Sequence, residues 1–196
     1  IYLNQVLFLL VNKADRETLE RLMDVYGPQY IYCSKSYEPG ESYDTVFELE
    51  NHVLLKTGRE GYPIHPDVAL LLSTSGTAGS SKLVKLSYEN LMDNAKHMCM
   101  HLHIKSGQKG ITPMAIHYVY GLTFYLWHWY CGATMLVTDS LLMSREFQEF
   151  YVKEKANNFA ATPFYYETLQ RIDFWDSEKT EYLNSAVIGG ARMSKK

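Results

Sequence analysis

The sequence predicts an α/β fold, a largely parallel sheet flanked by helices, on three observations. Short apolar runs of strand length alternate with longer stretches whose apolar residues recur at helical spacing. The repeated order of strand then helix is that of βαβ units, which require a parallel sheet covered by helices. Of the 196 residues 46% are hydrophobic and 21% charged, a balance that can bury a core and is not that of a disordered chain.

Taken in order, residues 6–11 (VLFLLV) read as a strand, 15–26 as an amphipathic helix with Leu19, Leu22 and Met23 on one face, and 30–33 as a second strand. Residues 35–67 contain Pro39, Gly40, Gly58, Gly61, Pro63 and Pro66 and read as a polar connector with one strand near 45–49. The apolar run 68–72 is the next strand, and a Ser/Gly-rich loop separates it from a short strand at 83–87. The remainder reads as helix 88–103, strand 110–115, helix 118–130, strand 133–138, helix 144–156, strand 159–161, helix 164–172 and strand 186–188. Two segments follow: 1–67, a strand–helix–strand with its polar connector, and 68–196, an α/β subdomain that begins at the loop. No internal repeat interrupts the pattern.

A net charge of −3 and a pI of about 6.2 offer no basic surface for nucleic acid or an anionic membrane. Cys33, Cys99 and Cys131 are odd in number and include no CxxC pair, the usage expected of reduced thiols in the cytoplasm. No charged leader with an apolar core and cleavage site is visible. The longest apolar stretch, 118–137, contains His128 and breaks at Cys131 and Gly132, so it reads as a buried helix and a core strand rather than a membrane span.

The loop at 73–82, STSGTAGSSK, has the chemistry of a polyphosphate cradle. Gly76 and Gly79 let successive backbone N–H groups converge on one anion, Ser75, Thr77, Ser80 and Ser81 add hydroxyls, and Lys82 adds a mobile positive charge. It is not the P-loop of nucleotide triphosphatases. That motif needs Gly before its lysine and Ser or Thr after it, whereas Ser81 and Leu83 stand there. The following LVKLS reads as a strand, where a P-loop lysine would open a helix. A plain Ser/Gly-rich surface turn is the competing reading.

STSGTAGSSKLVKLSYENL resembles the phosphate-loop signature of the adenylate-forming superfamily, which includes acyl- and aryl-CoA ligases, peptide-synthetase adenylation domains and luciferases. It departs from that signature at Ala78, Ser81 and Tyr88, and none of the three changes removes an anion-binding group. PMAIHYVYG at 113–121 resembles the family's histidine segment, and AVIGGA at 186–191 resembles its adenine-bordering strand, in the family's order.

The resemblance implies the partial N-terminal domain of an enzyme that joins a small-molecule carboxylic acid to ATP as an acyl-adenylate. A thiol, CoA or that of a carrier protein, then takes the acyl group. It implies that Thr74, Ser75, Gly76, Thr77, Ala78, Gly79 and Lys82 hold the β- and γ-phosphates, with Lys82 also catalytic. Gly189, Gly190 and Ala191 would border the adenine, and His117 would gate or orient the carboxylate. Mg²⁺ would take its main protein ligand from a Tyr-Gly-x-Thr-Glu segment beyond Lys196, so no metal ligand is assigned here. The expectation is therefore a fragment that lacks the remainder of its own chain and is inactive alone.

A second function class stays open, a non-catalytic nucleotide- or anion-binding module, and amidase-like hydrolysis through the Ser-Ser-Lys of the loop is a third. His97, Cys99, His101 and His103 have a spacing that can hold zinc, but core-like Met98, Met100 and Leu102 interleave them. Tyr120 and Trp127 are candidates to wall an acyl pocket. Each of the three motifs follows a strand, and since ligands of such folds sit outside the carboxyl ends of the strands, the three are expected to line one crevice.

Overall fold

The structure, a computed structural model, describes residues 7–8, 16–37, 42–73, 83–175 and 178–192. In chain order its elements begin with β1 (Leu7–Phe8), α1 (Arg16–Tyr26), β2 (Tyr30–Ser34), β3 (Asp44–Leu49) and β4 (His52–Lys56). Next come β5 (Val68–Ser73), β6 (Leu83–Ser87), α2 (Tyr88–Leu102), β7 (Lys109–Ile111) and α3 (Val119–Tyr130). The series closes with β8 (Thr134–Leu136), α4 (Arg145–Glu154), β9 (Asn158–Ala161), α5 (Pro163–Gln170), a 3-10 turn at Glu178–Thr180 and β10 (Ser185–Ile188). The described residues divide into two compact units, 7–8, 67–73 and 84–192 in one and 16–66 with Leu83 in the other.

The unit of 16–66 corrects the expectation of a polar connector. Its three strands form an antiparallel sheet of order β2-β4-β3. The expected strand is β3, and β4 follows it after only Glu50 and Asn51, with Leu49 paired to His52. Glu50 takes φ +49°, a left-handed conformation that glycine would adopt more cheaply. Ile31 pairs with Leu55 and Cys33 with Val53, so these four side chains share one face of the sheet. The chain after β4 is tied back to the helix, as the Arg59 guanidinium donates to the Met23 carbonyl at 2.7 Å and lies 3.7 Å from Asp24.

In the other unit β1 and β5 pair in parallel within a sheet of order β1-β5-β6. A second sheet, of order β10-β9-β7-β8, is parallel throughout. Its central strand β9 is buried at every position, as a strand covered on both faces must be. Alternation sends Phe159 and Ala161 to one face, with Ile111, Phe147, Tyr151, Leu169 and Phe174. Ala160 goes to the other, with Ala95, Cys99, Phe124 and Trp127 of α2 and α3. Burying a Phe or Leu side chain is worth about 1.5–3 kcal/mol, so these two clusters carry the unit's cohesion.

Local signals set the helix ends. The Ser87 hydroxyl accepts from the Asn90 amide at 3.0 Å while the Asn90 side chain accepts from the Ser87 amide at 3.1 Å, a reciprocal cap that starts α2. Ser144 caps α4 by accepting from the Phe147 amide, and Pro163 opens α5 at the position where its missing N–H costs nothing. The strand expected at 110–115 is shorter, because Thr112 turns the chain. Its hydroxyl donates to the Ala160 carbonyl at 2.6 Å and accepts from the Met114 amide.

One polar cluster runs through this packing. His128, 0% exposed, donates from Nδ1 to the Phe124 carbonyl at 2.9 Å and accepts at Nε2 from the Asn158 amide nitrogen at 3.1 Å. That nitrogen also donates to Gln108, and the Asn158 oxygen accepts from the Ser185 hydroxyl at 2.9 Å. Every side-chain polar group of this cluster is thereby satisfied, and the imidazole is held neutral. Gly110 makes the contact possible, because a Cβ there would stand 2.7 Å from the imidazole Cδ2 and nearer still to Nε2.

Gly110→Ala is therefore expected to lower unfolding free energy by about 1–3 kcal/mol, measured by urea denaturation, since backbone and a buried ring must both shift. Burial lowers the His128 pKa below its usual 6.5. The unfolded state then binds the extra proton first, so this contribution to stability is complete above pH 6.5 and is lost as pH falls through the folded-state value. Urea midpoints measured at stepped pH values should fall on the acid side, and His128→Gln should flatten that slope.

Candidate functional site

Parallel strands leave all their carboxyl ends on one edge, and β7, β9 and β10 hand the chain there to Thr112, Thr162 and Gly189. Two of the three motif segments meet at this edge. His117 lies in the loop between β7 and α3, and Gly189 and Gly190 follow β10 directly. Thr74, Ser75, Gly76, Thr77, Ala78, Gly79 and Lys82 lie outside the described residues, which reach Ser73 at the end of β5 and resume at Leu83.

Tyr120, in the first turn of α3, joins the two segments. Its hydroxyl donates to the Val187 carbonyl of β10 at 2.8 Å, and its ring faces Gly189 so closely that a Cβ there would stand 2.9 Å from Cζ. The Gly189 amide donates to the Ala161 carbonyl at 3.3 Å, which carries the parallel ladder one residue past the strand. Gly190 then turns at φ +84°, where an added Cβ would meet the Thr162 Cγ2 at 3.3 Å. Glycine is required at 189 for space and at 190 for backbone conformation. Ala191 is exposed beyond them.

His117 packs its ring against Tyr118 at 4.3 Å between centroids. Its Nε2 is buried and has no hydrogen-bond partner, an arrangement that costs free energy until a donor or acceptor arrives. Burial lowers its pKa below 6.5, so the ring is neutral at pH 7 and offers a hydrogen-bonding group without a charge.

Trp127 is not at this edge. Its indole N–H donates to Asn94 of α2 at 2.9 Å and its ring is buried against Phe124, because it occupies the α3 face that packs on α2. Of the two candidate pocket walls, Tyr120 alone stands at the carboxyl edge. The histidine cluster is dispersed likewise. The His97 ring is bonded to the Asp93 carbonyl, Cys99 is turned into the core, and His103 caps α2 in a left-handed conformation. Among the described residues no three His, Cys, Asp or Glu side chains gather as metal ligands.

Thr112 and Thr162 were not identified from sequence as part of this edge. Each precedes a proline directly after a strand, Thr112-Pro113 and Thr162-Pro163, and that repeated pair was the available signal. A hollow of about 420 Å³ opens at the opposite edge, lined by Lys109, Lys155, Asn157 and Asn184. Its lysines are engaged, Lys109 with Glu154 at 3.2 Å and Lys155 over the Tyr182 ring.

Gly189→Ala must push Tyr120 off the strand and is expected to cost about 1–3 kcal/mol in urea denaturation. In a Tyr120→Ala background the same change should be nearly neutral, and the double-mutant cycle measures that coupling.

The sequence profile of the family described as AMP-binding enzyme matches residues 7–196. A chloroplastic long-chain-fatty-acid–[acyl-carrier-protein] ligase of Arabidopsis thaliana is 25% identical over 103 residues, 53% of this chain and 14% of its own length. Among solved structures, the inhibitor-bound N-terminal domain of FACL13 from Mycobacterium tuberculosis superposes with a TM-score of 0.59 at 19% identity, over 66% of this chain and 32% of that one. ATP-bound MatB from Rhodopseudomonas palustris gives 0.56 at 22% identity, over 64% and 24%. The anthranilate CoA ligase AuaEII with anthranoyl-AMP gives 0.56 at 17%, over 71% and 28%. These likenesses show a shared fold, and the chain spans about a third or less of each of these proteins. Among the described residues no helix is long and apolar enough to cross a membrane.

Proposed function

Because the chain belongs to the AMP-binding enzyme family, we propose that it forms the phosphate-loop and adenine-side portion of a ligase that activates a carboxylic acid with ATP. The observation that carries this reading is the Gly189–Gly190 turn at the carboxyl edge, fastened through Tyr120 to the segment that bears His117 and its unmet Nε2. A flat adenine can lie along the exposed backbone of Gly190 and Ala191. A carboxylate needs a fixed hydrogen-bond partner to approach phosphorus in line.

In the proposed reaction the substrate carboxylate attacks the α-phosphorus of ATP and pyrophosphate leaves. A thiol, CoA or one borne by a carrier protein, then displaces AMP from the acyl-adenylate. Thr74, Ser75, Gly76, Thr77, Gly79 and Lys82 hold the β- and γ-phosphates and stabilise the charge that develops on the leaving group. Gly189, Gly190 and Ala191 border the base. His117, neutral at pH 7, orients the acid. Among the described residues no three His, Cys, Asp or Glu side chains gather to hold Mg²⁺.

The structural relatives support the same reading, one being ATP-bound and another holding an acyl-adenylate. The carrier-protein acceptor named for the Arabidopsis ligase makes such a thiol one of the two acceptors to test. Its acid, a long-chain fatty acid, is the first substrate class to assay. The three cysteines are free, in keeping with a cytoplasmic setting. We further propose that the chain by itself does not complete adenylation.

The test is acid-dependent ATP–pyrophosphate exchange in the full-length protein. Lys82→Ala should lower the exchange rate by about 10²-fold, the scale for removing one donor to developing charge. An unchanged rate removes Lys82 from the mechanism. Nucleotide binding without any exchange, across acids of several classes, would instead leave a binding module.

A further inference from the structure

The proposed reaction uses none of the three thiols, yet the residues that bear two of them bond to one carbonyl. Cys99 sits in the last turn of α2, and Cys131 is the first residue past α3. The Cys99 thiol donates to the Trp127 carbonyl at 2.7 Å, and the Cys131 amide donates to that same oxygen at 3.3 Å. Two bonds to one acceptor hold the Cys99 sulfur near the Cys131 backbone, no further off than those lengths laid end to end. Both side chains pack in one apolar cluster with Phe124 and Ala133.

We propose that Cys99 and Cys131 form a dithiol modification site, which a peroxide-class oxidant closes into an intramolecular disulfide between α2 and the end of α3.

The two thiols have different parts in the chemistry. Cys131 is half-buried, whereas Cys99 is enclosed, and burial together with the neighbouring Cys131 pushes its thiol up to about 12. A thiol in that state is a poor first nucleophile, so Cys131 reacts with the oxidant. Its sulfur attacks the peroxide O–O bond, which gives Cys131 sulfenic acid and one water. The Cys99 sulfur then attacks the sulfenic sulfur, the S–S bond forms and the S–O bond breaks. The hydroxyl leaves with the Cys99 proton as a second water. The two sulfurs together lose two electrons, the two that the peroxide gains, and a dithiol reductant reverses the closure.

The consequence reaches the site through one helix. Tyr120 stands in the first turn of α3, so a bond at the far end of α3 restrains the element that bears the tyrosine.

The test treats the purified full-length protein with hydrogen peroxide, confirms native circular dichroism, blocks remaining thiols and maps peptides by mass spectrometry. The expected result is a Cys99–Cys131 crosslink that leaves Cys33 out and is undone by dithiothreitol. In Cys99→Ser, Cys131 should stop at a sulfenic acid that dimedone traps. In Cys131→Ser, Cys99 should remain a thiol, and because that position is half-buried the variant still reports if Cys99→Ser folds poorly. Sulfinic acid on Cys131 with Cys99 still reduced in the folded wild type would overturn the proposal, as would a crosslink that forms only in denaturant. Neither readout depends on ligase activity, so loss of the exchange reading leaves this one standing.

Discussion

The hydrogen bond from Asn158 to His128 is the constraint on which the rest of the larger unit depends. Asn158 opens β9 and lies in register with Ser185 of β10 and Gly110 of β7. Its side chain binds Ser185 on one side and, across the missing side chain of Gly110, the imidazole of α3. Three strands and one helix are thus indexed to a single amide. An apolar core tolerates sliding among near-equivalent packings, but a buried network satisfied in only one arrangement does not.

That index sets the geometry at the far edge. With the C-terminal half of α3 fixed at His128, its first turn falls over the end of β10, where Tyr120 meets Gly189. The Val187 carbonyl accepts from Tyr166 as well as Tyr120, so α5 and α3 both fasten the strand end on which the two glycines ride. Stiff elements hold that short glycine backbone in place. As the proposed adenine border, it would lose little freedom on being filled.

Most of the fold was legible because local chemistry and periodicity agree there. The helices expected from 88, 144 and 164 begin at Tyr88, Arg145 and Pro163, where Ser87 with Asn90, Ser144 and Pro163 itself set the starts. The hairpin partner β4 was not legible. HVLLK does not alternate, and its turn uses Glu50 at a positive φ where a sequence reader looks for glycine or asparagine. His128 was hidden for a related reason. In an apolar helix it reads as an interruption, and only its distant partners, Asn158 and the gap at Gly110, make it a core residue. At the site, the histidine and paired glycines could be read as motifs. Tyr120's contact with Gly189 could not, because it depends on how α3 lies across β10.

Among the described residues the order β10-β9-β7-β8 leaves β8 and β10 outermost in their sheet, and β10 turns Ile188 43% toward solvent. An outer strand keeps one row of amides and carbonyls unpaired, a template that accepts any extended peptide. A preparation of this chain by itself therefore carries two sticky borders, one of them edged with a branched aliphatic side chain. Self-association through them competes with recovery of monomer, more steeply as concentration rises.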